Sequence, residues 1–137
     1  MNDGPILIVD TDIDDRELLQ HAWDELEFKN PLIFFDDGES VLEYLNSKKQ
    51  TPFIILSDVN LPKMNGFELK KKLLEHDDTF YKSVPFIFWS TSASEAQIKR
   101  SYDLGGNGFF IKENNFEALK QSLIEIASYW TKSKIPQ

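Results

Sequence analysis

Four residues whose types suit phosphate chemistry stand just after short apolar runs. Asp10 follows Ile6–Val9, Asp58 follows Phe53–Leu56 and Ser57, Ser90 or Thr91 follows Phe86–Trp89, and Lys112 follows Phe109–Ile111. A carboxylate can act as a nucleophile and carry an acyl phosphate. The transferred group needs little covalent help, so positioning and charge neutralisation dominate. A hard divalent ion such as Mg²⁺ takes oxygens, typically from carboxylates, waters and phosphate. Asp10 and Asp58 can supply carboxylates, with a backbone carbonyl nearby. Lys112 can pair with one phosphate oxygen, and the hydroxyl of Ser90 can donate to another. Singly, each has a plainer reading: Asp58 as a turn or capping residue, Lys112 as a solvated lysine. Four polar residues at four run ends weigh against four coincidences.

The elements that must position them alternate regularly. Strands are expected at Ile6–Val9, Leu32–Phe35, Phe53–Leu56, Phe86–Trp89 and Phe109–Ile111. Helical periodicity falls between them, at about 14–27, 39–47, 66–76 and 94–104, and again at about 115–132. Asn30-Pro31, Asp36-Asp37-Gly38, Thr51-Pro52 and Gly105-Gly106 punctuate the pattern, and residues 77–84 read as a loop. Ser94 is placed to cap a helix. Repeated strand–helix units imply an α/β fold, doubly wound around a parallel sheet, with right-handed crossovers. In such sheets ligands bind beyond the carboxyl ends of the strands. With the flavodoxin-like order 2-1-3-4-5, all four residues would meet in one pocket there.

The chain has 137 residues, which suits one domain over 1–137 with a frayed tail at 133–137. Asp plus Glu number 23 against 15 Lys plus Arg, a net charge of -8, which disfavours binding to DNA or to anionic membranes. The absence of cysteine excludes disulfides, thiol nucleophiles and thiolate metal sites. MNDGPILIV lacks the marks of a signal peptide, and no apolar run reaches spanning length, so a cytoplasmic location is expected. His21 and His76 lack ligand spacing and read as surface or interface residues.

The sequence also resembles a known family over nearly its whole length, the receiver domains of two-component response regulators. ILIVDTDIDDREL resembles the family's first strand and acidic loop. IILSDVNLPKMNGFEL matches its phosphoacceptor segment, with Pro62 and Gly66 as landmarks. PFIFWSTS resembles the switch-hydroxyl strand, and GGNGFFIK the strand that ends in the family's lysine. The loop before Pro85 is similar to that of phytochrome-associated, stand-alone receivers. The resemblance implies the (βα)5 flavodoxin-like fold with order 2-1-3-4-5. It implies a signalling phosphoacceptor rather than an enzyme acting on free substrate, with Mg²⁺ as cofactor and a histidine kinase or phosphotransfer protein as partner.

Residue by residue, the resemblance gives Asp58 as phosphoacceptor, Asp10 as the first acid of the metal pair, and Asn60 as the donor of a metal-binding backbone carbonyl. Ser90 takes the place of the switch hydroxyl, Lys112 that of the phosphate-pairing lysine, and Phe109 that of the aromatic switch. Without a hydroxyl, Phe109 is governed by packing alone. Two positions depart from the family. Thr11 stands where a second acid normally touches the metal, which should weaken Mg²⁺ binding. Glu113 replaces the usual proline after the lysine; a trans peptide and an outward side chain are expected.

Other features have simpler readings. Asp12 reads as a solvent-facing acid, and Asp14 and Asp15 as acids favoured by a helix N-terminus. Lys70, Lys71 and Lys72 read as one solvated face. Trp89 reads as a core filler beside the switch. Trp130 fits the buried stripe of the last helix, whereas Tyr129 is a surface contact, which leaves a homodimer open. Two further functions remain. ILIVDTDID also fits the hhhhDxDx pattern of haloacid-dehalogenase-like phosphatases, with Asp10 as nucleophile and Asp12 as general acid. That reading lacks a late acidic pair and leaves FIILSDVNLPKMNG unexplained. A degenerate receiver, suggested by Thr11, would be an interaction module that no longer takes phosphate.

Overall fold

The computed structural model describes residues 3–47, 50–76 and 82–135. Part of the 77–84 loop expectation, and the end of the tail, lie outside the described residues. The strands are β1 (Ile6–Val9), β2 (Leu32–Phe35), β3 (Ile54–Asp58), β4 (Phe86–Ser90) and β5 (Phe109–Ile111). The helices between and after them are α1 (Ile13–Asp24), α2 (Gly38–Asn46), α3 (Gly66–Leu74), α4 (Glu95–Asp103) and α5 (Phe116–Lys132). Among the described residues the five strands form one parallel sheet in the order β2-β1-β3-β4-β5.

Apolar runs without alternation suit strands covered on both faces. β1 and β4 are buried throughout, and β3 as far as Ser57, while the edge strands β2 and β5 are only half-buried for most of their length. One face of the sheet presents Ile8, Leu56 and Trp89 to Leu19 and Trp23 of α1 and to Leu119 and Leu123 of α5. The other presents Leu7, Ile55 and Phe88 to Val41 of α2 and to Phe67 and Leu69 of α3. Trp89 is therefore core, as its apolar setting predicts, although its indole N–H has no hydrogen-bond partner among the described residues.

Caps fix where the helices begin. Asp37 starts α2, Asn65 and Ser94 start α3 and α4 with reciprocal capping boxes to Glu68 and Gln97, and Asn115 starts α5. The α1 expectation needs correction. The helix starts earlier than Asp14, because Asp12 is its cap, accepting from the Asp15 amide at 3.2 Å, and it ends at Asp24 with Glu25 as C-cap. Asp12 is thus a working cap as well as an exposed acid. At the end of α4, Gly105 takes φ +80 and Gly106 N–H reaches back to Ser101 O, the glycine-dependent helix stop.

The lysine triplet also needs correction. Lys71 and Lys72 are exposed, but Lys70 is buried. It lies three residues after Phe67 and three before Leu73, which puts it on the apolar stripe of α3. Its Nζ stands 5.6 Å from the centre of the Phe86 ring. Burial lowers its pKa from the usual lysine value.

Candidate functional site

Strand register brings the acids together. Val9 pairs with Ser57 across β1 and β3, so Asp10 and Asp58, one residue on, leave the sheet side by side. Asp58 pairs with Trp89, and Trp89 with Phe110, so Ser90 and Lys112 emerge on the neighbouring strand ends. The Lys112 amide closes that corner by donating to Ser90 O at 2.7 Å. The loop after β3 turns close beneath: Gly66 N–H donates to Val59 O at 2.9 Å, and a Cβ at Gly66 would collide with the Asp58 carbonyl.

Lys112 is the hub. Its Nζ donates to Asp10 Oδ2 at 2.8 Å, to Asp58 Oδ2 at 2.8 Å and to Asp15 Oδ2 at 3.0 Å. The remaining oxygens have local donors, with Asp12 N–H on Asp10 Oδ1 at 2.9 Å and Asn60 N–H on Asp58 Oδ1 at 3.1 Å. Asp10 is 1% exposed and the Asp58 side chain 15%. Burial raises the Asp10 pKa, opposed by its hydrogen bonds to Lys112 and to the Asp12 amide. Burial alone would lower the Lys112 pKa, but the hydrogen bonds to Asp10 and Asp58 outweigh it and raise it above the usual lysine value.

Asp15 is the site residue that sequence reasoning missed. An acid in the first turn of a helix already has a local explanation, and its partner lies 97 residues further on. Arg16 was missed for a similar reason. Its Nε donates to Asp10 O at 2.6 Å, its guanidinium pairs with Asp36, and it lies 5.8 Å from the Phe34 ring centre. It ties the end of β1 to the end of β2.

The other expected residues fall as follows. Ser90 is buried at the end of β4. Phe109 is half-buried and stacks on Phe88, with ring centres 6.3 Å apart. Asn60 and Thr11 are exposed, and Thr11 takes no part in the hydrogen bonds among the site's side chains. The described backbone has no cis peptide, and Glu113 is exposed.

This geometry gathers acids around a cation at the carboxyl edge of a parallel sheet. Residues 6–124 match the family model of the response regulator receiver domain. The chain belongs to that family. Receiver domains are the phosphoaccepting modules of two-component signalling. This one is similar to the response regulator Rcp1 of Synechocystis, 28% identical over 130 residues, covering 91% of this chain and 87% of the relative. The solved structure of the phosphorylated cyanobacterial phytochrome response regulator RcpA matches it with a TM-score of 0.87 and 28% identity, over 100% of both chains. The Mn(2+)-bound form of Rcp1 matches with a TM-score of 0.83 and 28% identity, over 96% of this chain and 98% of that one. The fold and family expectations therefore hold, and nothing favours the phosphatase reading.

Receiver domains in general bind Mg²⁺, and this receiver's donors suit a hard cation. Asp10 and Asp58 are close enough to share the Lys112 ammonium, which occupies a cation's position between them. Among the described residues no three acidic or histidine side chains form a ready metal cluster. The carboxylates within reach of an ion here would be those of Asp10 and Asp58, with water completing its shell. No helix among the described residues is long and apolar enough to cross a membrane.

Proposed function

We propose that this receiver accepts a phosphoryl group on Asp58 from a histidine kinase or phosphotransfer protein, and signals through its own surface. The observation that carries this reading is the difference in access between the two strand-end acids. Asp58 keeps 15% of its side chain exposed while Asp10 keeps 1%, so a partner can reach Asp58. Both touch Lys112, so the reachable acid also has a cation beside it.

In the proposed transfer, an Asp58 carboxylate oxygen forms a bond to phosphorus as the partner's nitrogen–phosphorus bond breaks. The electron pair leaves with the imidazole. Lys112 moves from the carboxylate to a phosphoryl oxygen, and the Ser90 hydroxyl donates to another. Asp10, Asp58 and the Asn60 carbonyl would hold Mg²⁺. When bound, the ion neutralises charge on the phosphoryl oxygens. As Ser90 is drawn in, Phe109 resettles against Phe88, which remodels the face built from α4, β5 and α5.

We take residues 1–137 as a single domain, cytoplasmic, with no direct DNA contact. The test is to incubate the protein with Mg²⁺ and acetyl phosphate and locate any acyl phosphate by mass spectrometry. Label on Asp58, lost in Asp58→Asn, supports the reading. Label on Asp10 with turnover of a phosphate ester overturns it for the phosphatase. No label at high Mg²⁺ overturns it for the degenerate interaction module.

A further inference from the structure

Asp15 has a place in this site that helix chemistry does not explain. The first turn of α1 already has Asp12 as its cap and Asp14 as a favourable charge. The Asp15 carboxylate instead reaches Lys112 at 3.0 Å. Lys112 thereby collects carboxyl groups from three places in the chain: the end of β1, the first turn of α1 and the end of β3. Two of these, Asp10 and Asp58, are the groups that a metal ion and a phosphoryl group would claim. Asp15 is the third and stands outside that set. It also lines a cavity of about 20 Å³ with Lys112, Glu113 and Trp89, whose buried indole N–H lacks a partner.

We propose that Asp15 is a positioning residue that acts through Lys112, keeping hold of the lysine when metal claims Asp10 and Asp58. It thereby supplies, one turn along α1, the negative charge that Thr11 does not. The inference rests on the reading of Asp58 as phosphoacceptor. An ammonium paired with Asp15 repels an arriving divalent ion less than a bare one would. The same pairing competes with the phosphoryl oxygen for the lysine. Asp15 therefore favours the metal and opposes the phosphoryl group, a combination of signs that a merely structural acid would not produce.

The test uses the full chain, with Asp15→Asn, Asp15→Glu and Lys112→Met variants. Mg²⁺ is titrated alone, followed by the indole ¹⁵N–¹H resonance of Trp89. Beryllofluoride, a phosphoryl analogue, is then titrated at saturating Mg²⁺. Asp15→Asn should weaken Mg²⁺ and tighten beryllofluoride, each by roughly three- to tenfold, as for a partly exposed ion pair. Asp15→Glu should restore most of both constants, and in Lys112→Met the effect of Asp15→Asn should vanish. Constants that stay within about twofold, or shifts that persist without Lys112, overturn the inference alone when beryllofluoride binds wild type. Wild-type protein that takes up beryllofluoride nowhere near Asp58 overturns the phosphoacceptor reading, and this inference with it.

Discussion

Lys112 Nζ lies 2.8 Å from Asp58 Oδ2, although 54 residues separate them in sequence. The same ammonium serves Asp10 and Asp15, and the lysine side chain is only 8% exposed. Removing one partner from a buried ion pair costs more than the pair is worth, because the other charge is left without compensation. Lys112→Met should therefore destabilise the fold by roughly 3 kcal/mol. Adding Asp10→Asn, which removes the most buried of the acids, should recover part of that loss. Urea unfolding of the single and double variants measures both. A Lys112→Met variant as stable as wild type would show that the cluster is not held by the lysine.

Thr11 sets the expected metal affinity. It is exposed, beside the buried Asp10, and by the resemblance stands where the family has its second acid. Thr11→Asp should tighten Mg²⁺ by roughly tenfold, since affinity for hard cations follows the count of charged oxygens. Calorimetric titration at low millimolar ion reads this directly. Unchanged affinity would place residue 11 outside the coordination sphere.

Lys70 is a buried cation that the proposed chemistry does not use. Its folded pKa lies below the ordinary 10.5 because of burial. Between that lowered value and 10.5 the unfolded chain binds more protons, so Lys70 makes stability rise with pH in that window. Lys70→Met keeps the stem and removes the charge. It should raise stability at pH 7 by about 1 kcal/mol and abolish this rise. Denaturation midpoints of both proteins across the alkaline range test it.

Asp37 is by contrast a charge that the fold favours, although its lowered pKa makes stability rise with pH in the same direction. It caps α2 by accepting from both the amide and the hydroxyl of Ser40, each at 2.9 Å. Those bonds lower its pKa below 3.8, the Ser40 amide contributing most. Its stabilising effect is complete above the unfolded value and is lost as pH falls through the lowered folded one. Asp37→Ala should cost about 1 kcal/mol at neutral pH, and the gap from wild type should close in strong acid. Thermal melts over the acidic range follow both limbs.

Asp10, Asp58, Ser90 and Lys112 were legible in sequence because each stands where an apolar run ends at the carboxyl edge of a parallel sheet. The strand positions were legible for the same reason, as uninterrupted apolar runs between turns. Asp15 and Lys70 were hidden by neighbours of their own kind, and Arg16 by partners on other strand ends. Asp15 follows two acids that a helix start explains, and Lys70 opens a run of lysines whose other members are solvated. Only tertiary contact separates them. The start of α1 was misplaced because Asp12 could be read as free, whereas its carboxylate is bound to the helix it begins.

Arg16 makes the pocket mechanically lopsided. By bonding the Asp10 carbonyl and pairing with Asp36, it rivets the ends of β1 and β2 into one rigid jaw. The opposing jaw is built otherwise. Lys112 reaches the acids on a flexible four-carbon stem, and Phe109 is placed by ring packing against Phe88 rather than by a hydroxyl. In the proposed transfer a group arriving on Asp58 would thus meet an anvil on one side and a movable part on the other. In that transfer the displacement would run toward the β5 edge of the sheet, with the β2 edge as the fixed reference.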